Sequence, residues 1–151
     1  MEEITLSFQG IEELPYIRCT VSDFLLKNVS ADYQLLELAI IEALNNAVQH
    51  GNKNCSHSFV QIRIRLSRNN TLFIRIKDQG DGFPGNFLLK KLRESSKDPY
   101  EEILFNESGR GLLLMNSVTD CIFYNQHGNE VLLIKRLTAK KTHLTSCNLH
   151  Q

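Results

Sequence analysis

Two runs of alternating residues, "FVQIRIRLS" at 59–67 and "TLFIRIKD" at 71–78, constrain this chain more than any other feature. In each, Ile, Leu, Val or Phe recurs at every second position with Arg, Gln or Lys between. That period of two sends one set of side chains to a core and the other to water. Only "RNN" (68–70) separates the runs, so they are predicted to pair as an antiparallel hairpin. A hairpin with one apolar face needs a covering layer, and the rest of the chain must supply it.

The flanking segments fit that demand. "EITLSFQ" (3–9) alternates Ile4, Leu6 and Phe8 with polar neighbours, as a half-buried strand does. From Leu14 to Val29 the apolar spacing turns helical, with Pro15 where a first turn tolerates it. Ser30 or Asp32 is suited to cap a second helix running to about His50 and stopping at Gly51. Residues 79–111 carry little periodicity and are expected to form a long lid. A short helix "LLLMNSV" (112–118) comes next, and then "CIFYNQ" and "VLLIKR" flank His127-Gly128-Asn129 as a second hairpin. The order predicts an α+β two-layer sandwich: a mixed, mostly antiparallel sheet with helices on one face. One domain over 1–137 and a polar, flexible tail over 138–151 are expected.

Composition narrows the class. Seventeen Lys plus Arg balance seventeen Asp plus Glu, so the broad basic field of a non-specific nucleic-acid binder is missing. No apolar run approaches the roughly 18 residues of a membrane span, and the N-terminus lacks the layout of a signal peptide. A cytoplasmic protein without direct nucleic-acid or membrane contact is the expectation. The four cysteines, Cys19, Cys55, Cys121 and Cys147, form no CxxC pair, which favours reduced thiols over a disulfide framework. Cys55 with His57, and Cys147 with His150, depart from the usual spacings of structural zinc sites.

Three patches carry candidate chemistry. On the second helix, Glu42, Asn45, Asn46 and Gln49 stand at offsets of three, four and seven and line one stripe. Adjacent asparagines are poor helix formers, so a solvated face explains them less well than work at a site does. A carboxylate one turn from an amide oxygen suits a base beside a hard cation. In "KDQGDGFPG" (77–85), Asp78 ends a strand, and Gly80 and Gly82 free the backbone to bend or to let a flat ligand approach, although a plain turn would use the same residues. In "SGRGLLLMNSV" (108–118), Gly109 and Gly111 precede a helix whose exposed N–H groups could hold phosphate oxygens, with Arg110 between them as a cation.

Taken together and in this order, "EALNNAVQHGN", "DQGDGF" and "GRGL" resemble the N box and the two glycine boxes of the GHKL superfamily of ATP-binding domains. The resemblance spans about residues 3–136, and within the superfamily the chain looks most like the bacterial anti-sigma factor serine/threonine kinases. The resemblance implies Glu42 as general base and Asn46 as the ligand of Mg²⁺ bridging the phosphates of ATP, with Asn45 beside it ordering phosphates. It implies Asp78 as acceptor of the adenine amino group, Gly80 and Gly82 as the backbone against which the base lies, and Gly109, Gly111 and Leu112 at the phosphate-holding end of the lid. Arg110 is expected to assist transfer. The implied activity is phosphorylation of a serine on an anti-anti-sigma (antagonist) protein, with a sigma factor as the second partner and a homodimer as the assembly. Two departures stand out: Glu107 where such kinases tend to have an arginine, and Asn129-Glu130 where a threonine often succeeds the last hairpin glycine. Two other functions share the scaffold: an ATP-responsive partner-switching module without catalysis, and the catalytic part of a histidine kinase, which would need a separate phosphoacceptor helix pair.

Overall fold

The structure, a computed structural model, describes residues 1–29, 33–94 and 107–138. Five strands, β1 (Glu2–Gln9), β2 (Phe59–Leu66), β3 (Thr71–Lys77), β4 (Cys121–Tyr124) and β5 (Glu130–Arg136), form one sheet in the order β1-β2-β3-β5-β4. Every pairing is antiparallel, so the expected sheet takes its fully antiparallel form among the described residues. In register, Ile62 stands opposite Ile76, and Ile64 opposite Ile74, so the two alternating runs place their apolar sets on the same face. Val60, Ile62, Ile64, Leu72, Ile74 and Ile76 are buried, while Gln61, Arg63, Arg65, Arg75 and Lys77 are exposed.

The covering layer consists of α1 (Leu14–Asn28), α2 (Tyr33–Asn46), α3 (Gly85–Glu94) and α4 (Glu107–Val118). Pro15 sits in the first turn of α1, as expected. Helix α2 presses Leu36, Ala39, Ile40, Ala43 and Leu44 into the core, and α1 and α4 pack against it. The expected cap residues Ser30 and Asp32 lie outside the described residues, as does the tail from residue 139.

The segment expected to form a lid is helical on both sides of residues 95–106, which lie outside the described residues. Residues 85–94, "GNFLLKKLRE", form α3, because Leu88, Leu89 and Leu92 turn one stripe inward, with Leu89 fully buried. Three lysines and arginines on the remaining face had masked that short period. Helix α4 also begins earlier, at Glu107.

The second helix does not run evenly to His50. After Asn46 the backbone widens into one π turn, Ala47–Gly51, closed by the Asn52 N–H on the Ala47 carbonyl at 2.8 Å. Such single turns insert one residue and redirect the chain beyond them, often at functional sites. Here the chain leaves the helix at Gly51 and delivers Asn52 into the interior, where it is 6% exposed. The Asn52 amide donates to the Phe59 carbonyl at 2.9 Å and accepts from the Gln79 N–H at 2.8 Å. Gln79 in turn accepts from the Phe59 N–H at 2.7 Å. The exit of the π turn, the start of β2 and the end of β3 are thereby pinned together. Replacing Asn52 with Ala would leave a carbonyl and an N–H unpartnered, at a cost of about 2–4 kcal/mol. Urea unfolding should show that as a lower midpoint with an unchanged slope.

Candidate functional site

The site grows from the place where the π turn meets the end of β3. Asp78 comes directly after β3 and is held there from both sides: its N–H donates to the Asn129 carbonyl at 2.9 Å, and the Asn129 amide donates to the Asp78 carbonyl at 3.3 Å. Its side chain is nearly buried, at 8% exposed, with Oδ1 accepting the Gly80 N–H at 2.8 Å. The carboxylate lies against Gly51, where any β-carbon would occupy the space of its oxygens. A β-carbon on Gly80 would in turn strike the Gly51 carbonyl. Gly82 takes a φ of +100°, open to glycine at little cost, and its backbone abuts the His127 carbonyl in the β4–β5 turn.

Burial raises the Asp78 carboxyl above its ordinary range, partly offset by the Gly80 N–H and the His127 charge. The carboxylate borders a narrow cavity of about 30 Å³, walled by Ala43, Ala47, Ile76, Phe83, Tyr124 and Val131. The Phe83 and Tyr124 rings meet there at 5.7 Å between centroids, tilted by 53°. A cavity of that size admits two or three waters, so a flat ring system enters only if the Phe83 side gives way. Phe83 and Tyr124 were not legible as site residues in the sequence. Phe83 closes "DQGDGF", where the glycines and Asp78 draw the attention, and Tyr124 comes from an edge strand with no motif of its own.

A second, open cavity of about 410 Å³ adjoins the first and is lined by Glu42, Asn45, Asn46, Gln49, Arg110 and Leu114, among others. The polar stripe of α2 thus faces one hollow from end to end. Asn46 and His50 line both cavities and mark where they join. Gly111 brings α4 close here: a β-carbon would stand 3.0 Å from Glu42 Oε2 and 3.4 Å from Asn46 Nδ2. The two glycines of "GRGL" lie inside the first turns of α4 rather than ahead of it. Gly111, the fifth residue, is past the four N–H groups a helix leaves free, so the geometry assigns it close approach. Gly109 is within those four. Arg110 is exposed and lines the open cavity, whereas the Leu112 side chain is buried in the core and lines neither cavity.

The donor set fits a magnesium ion held mainly by phosphates. Among the described residues no cluster of three or more His, Cys, Asp or Glu could cage a metal. The Asn46 amide oxygen with Glu42 beside it offers the one or two protein oxygens that Mg²⁺ usually takes from such sites.

A small, mostly apolar cavity bordered by a buried carboxylate, joined through Asn46 to an open polar one, is a layout that suits a nucleotide. The model of the histidine kinase-like ATPase domain matches residues 13–135, spanning all of these elements. The chain belongs to that family. Among solved structures, this ATPase domain is similar to the histidine kinase domain from the Erythrobacter litoralis EL346 blue-light activated histidine kinase, at 22% identity and a TM-score of 0.43. The similarity covers 66% of this chain and 41% of that one, so this chain spans less than half the length of the solved chain it matches. It matches no curated protein. As a histidine-kinase-like ATPase domain it is a GHKL-type ATP-binding module, and no described helix is long and apolar enough to cross a membrane.

The buried carboxylate yields a signed prediction. Because the folded protein holds the Asp78 proton more tightly than the unfolded chain does, ionised Asp78 costs stability, and stability falls as pH rises through its raised pKa. Asp78→Asn removes that cost and keeps an oxygen for the Gly80 N–H. Its melting temperature at pH 7 should exceed that of the wild type, the gap closing as pH approaches the ordinary carboxyl value of 3.8. ATP binding by calorimetry should be lost in the same variant.

Proposed function

We propose that this ATPase domain is an anti-sigma factor serine/threonine protein kinase that uses Mg-ATP to phosphorylate a serine on an antagonist protein and otherwise holds a sigma factor. The observation that carries the reading is the open cavity in which Glu42, Asn46 and Arg110 converge beside the small cavity that Asp78 borders. Phosphoryl transfer asks a protein for positioning and charge neutralisation more than for covalent chemistry. Glu42 lies on a wall open to an incoming protein, where it can take the proton of a seryl hydroxyl as the oxygen attacks the γ-phosphorus and ADP departs. The Asn46 amide would hold Mg²⁺, and the ion when bound neutralises phosphate charge. Arg110 supplies a second cation on the facing helix.

The sigma factor, the antagonist, the serine specificity and a homodimeric assembly belong to this proposal through the resemblance of the three boxes to anti-sigma kinases. Incubating the domain with labelled ATP and a candidate antagonist should move label to a serine. Glu42→Ala should keep nucleotide affinity within about twofold, while its transfer rate falls by about 10²–10⁴. Transfer undiminished in that variant would remove Glu42 from the chemistry. ATP binding with a stable partner complex and no transfer from the wild type would instead identify a partner-switching module.

A further inference from the structure

The enclosed inward positions of the five strands are filled by Ile, Leu, Val and Phe, as at Ile62, Ile74 and Leu133. Beside the small cavity that rule is broken. Tyr124, opposite Val131 in the β4–β5 register, brings a phenol into the base cavity.

Tyr124 is held from three directions, its backbone by one neighbour and its ring by two. The Asn86 side chain clamps the Tyr124 backbone, donating to its carbonyl at 2.9 Å and accepting its N–H at 3.0 Å. Gly85 lies flat against the ring, with no room for a β-carbon. Phe83 tilts over it. A buried hydroxyl costs free energy unless it finds a partner, and a phenylalanine would fill the same space without that cost. Among the described residues the hydrogen bonds of Tyr124 are backbone ones, to Asn86. The hydroxyl is not sealed off, since no fully buried side-chain oxygen lacks a partner among the described residues, and the residue lines the cavity that Asp78 borders.

We propose that Tyr124 is a base-reading residue that acts with Asp78 to select a 6-aminopurine over a 6-oxopurine. The inference rests on the nucleotide-binding reading of this site and assigns it a specificity determinant. A 6-aminopurine presents an amino donor beside the unprotonated N1 acceptor. The Asp78 carboxylate accepts from the first, and the Tyr124 hydroxyl donates to the second. In a 6-oxopurine both senses invert: a carbonyl oxygen meets the carboxylate, and N1 carries a proton. The hydroxyl suits a permanent donor, because burial and the Asp78 charge push it up to about 12, and it keeps its proton at neutral pH.

The test is calorimetric binding of ATP and inosine triphosphate, which differ only at the 6-position and N1, to wild type, Tyr124→Phe and Asp78→Asn. Wild type should prefer ATP. Tyr124→Phe, which keeps the ring against Gly85 and Phe83, should weaken ATP by about five- to tenfold and inosine triphosphate by less than about twofold, narrowing the ratio. A tyrosine difference spectrum gives a readout without a variant: the wild type should shift with ATP more than with inosine triphosphate at saturation. Unchanged ATP affinity in Tyr124→Phe, or equal weakening toward both nucleotides, would overturn the assignment while leaving the site intact. Failure of the wild type to bind either nucleotide would overturn the nucleotide reading itself, and the assignment with it.

Discussion

The Asp78 carboxylate occupies a space that exists only because residue 51 has no side chain. At that contact the helical layer and the sheet touch backbone to side chain, and the surrounding geometry depends on it. The π turn Ala47–Gly51 is what lets the chain leave α2 close enough for the contact. The Asn52–Gln79–Phe59 hydrogen bonds then fix the approach. Gly80 must also lack a β-carbon, since the Gly51 carbonyl lies where one would go. A charged group buried this way lowers stability, so its persistence is better explained by a ligand that needs a fixed acceptor than by packing.

Helix α2 carries the same tension. Its apolar arc is core, and its opposite stripe gives up helix propensity at two successive asparagines, roughly 0.5–0.7 kcal/mol each relative to Ala. A solvated helix face gains nothing from such residues. The stripe instead lines a hollow whose other wall is α4, drawn close by Gly111. The helix is thus weakest in intrinsic preference next to its π turn, where the two cavities meet at Asn46 and His50. Irregular backbone and polar groups concentrate in that one seam, as they do where geometry has been traded for chemistry.

Much of this was legible in the residues because it is periodic. The alternation of 59–66 and 71–77 foretold the central hairpin and its inner face, and the three- and four-residue offsets of Glu42, Asn46 and Gln49 foretold a common wall. The features that escaped had no period or had one too short to see. Helix α3 spans ten residues, and its inward leucines are interrupted by "KKLR". The π turn arises from tertiary demand at Gly51 and not from any propensity of "AVQHG". Asn52 looked like one polar residue among several in "GNKNCSHS", yet only it is buried, because the turn before it points inward. The motif by itself points to Gly111 ahead of a helix. Within α4 its small size serves close packing instead.

The two cavities also divide the work of recognition between different forces. The open one is lined by one carboxylate, Glu42, and one guanidinium, Arg110, so its formal charges nearly cancel, and the chain as a whole carries no net charge. A triphosphate therefore meets no long-range attractive field, and encounter is not accelerated by steering. On the proposed reading, discrimination comes at contact, in the small, mostly apolar cavity, where each hydrogen bond counts for more. That cavity shares Ile76 and Val131 with the core itself. Base recognition and the packing of the sheet are then one structural problem, and a core substitution near β3 or β5 acts on ligand affinity through the position of Asp78 even when the fold survives it.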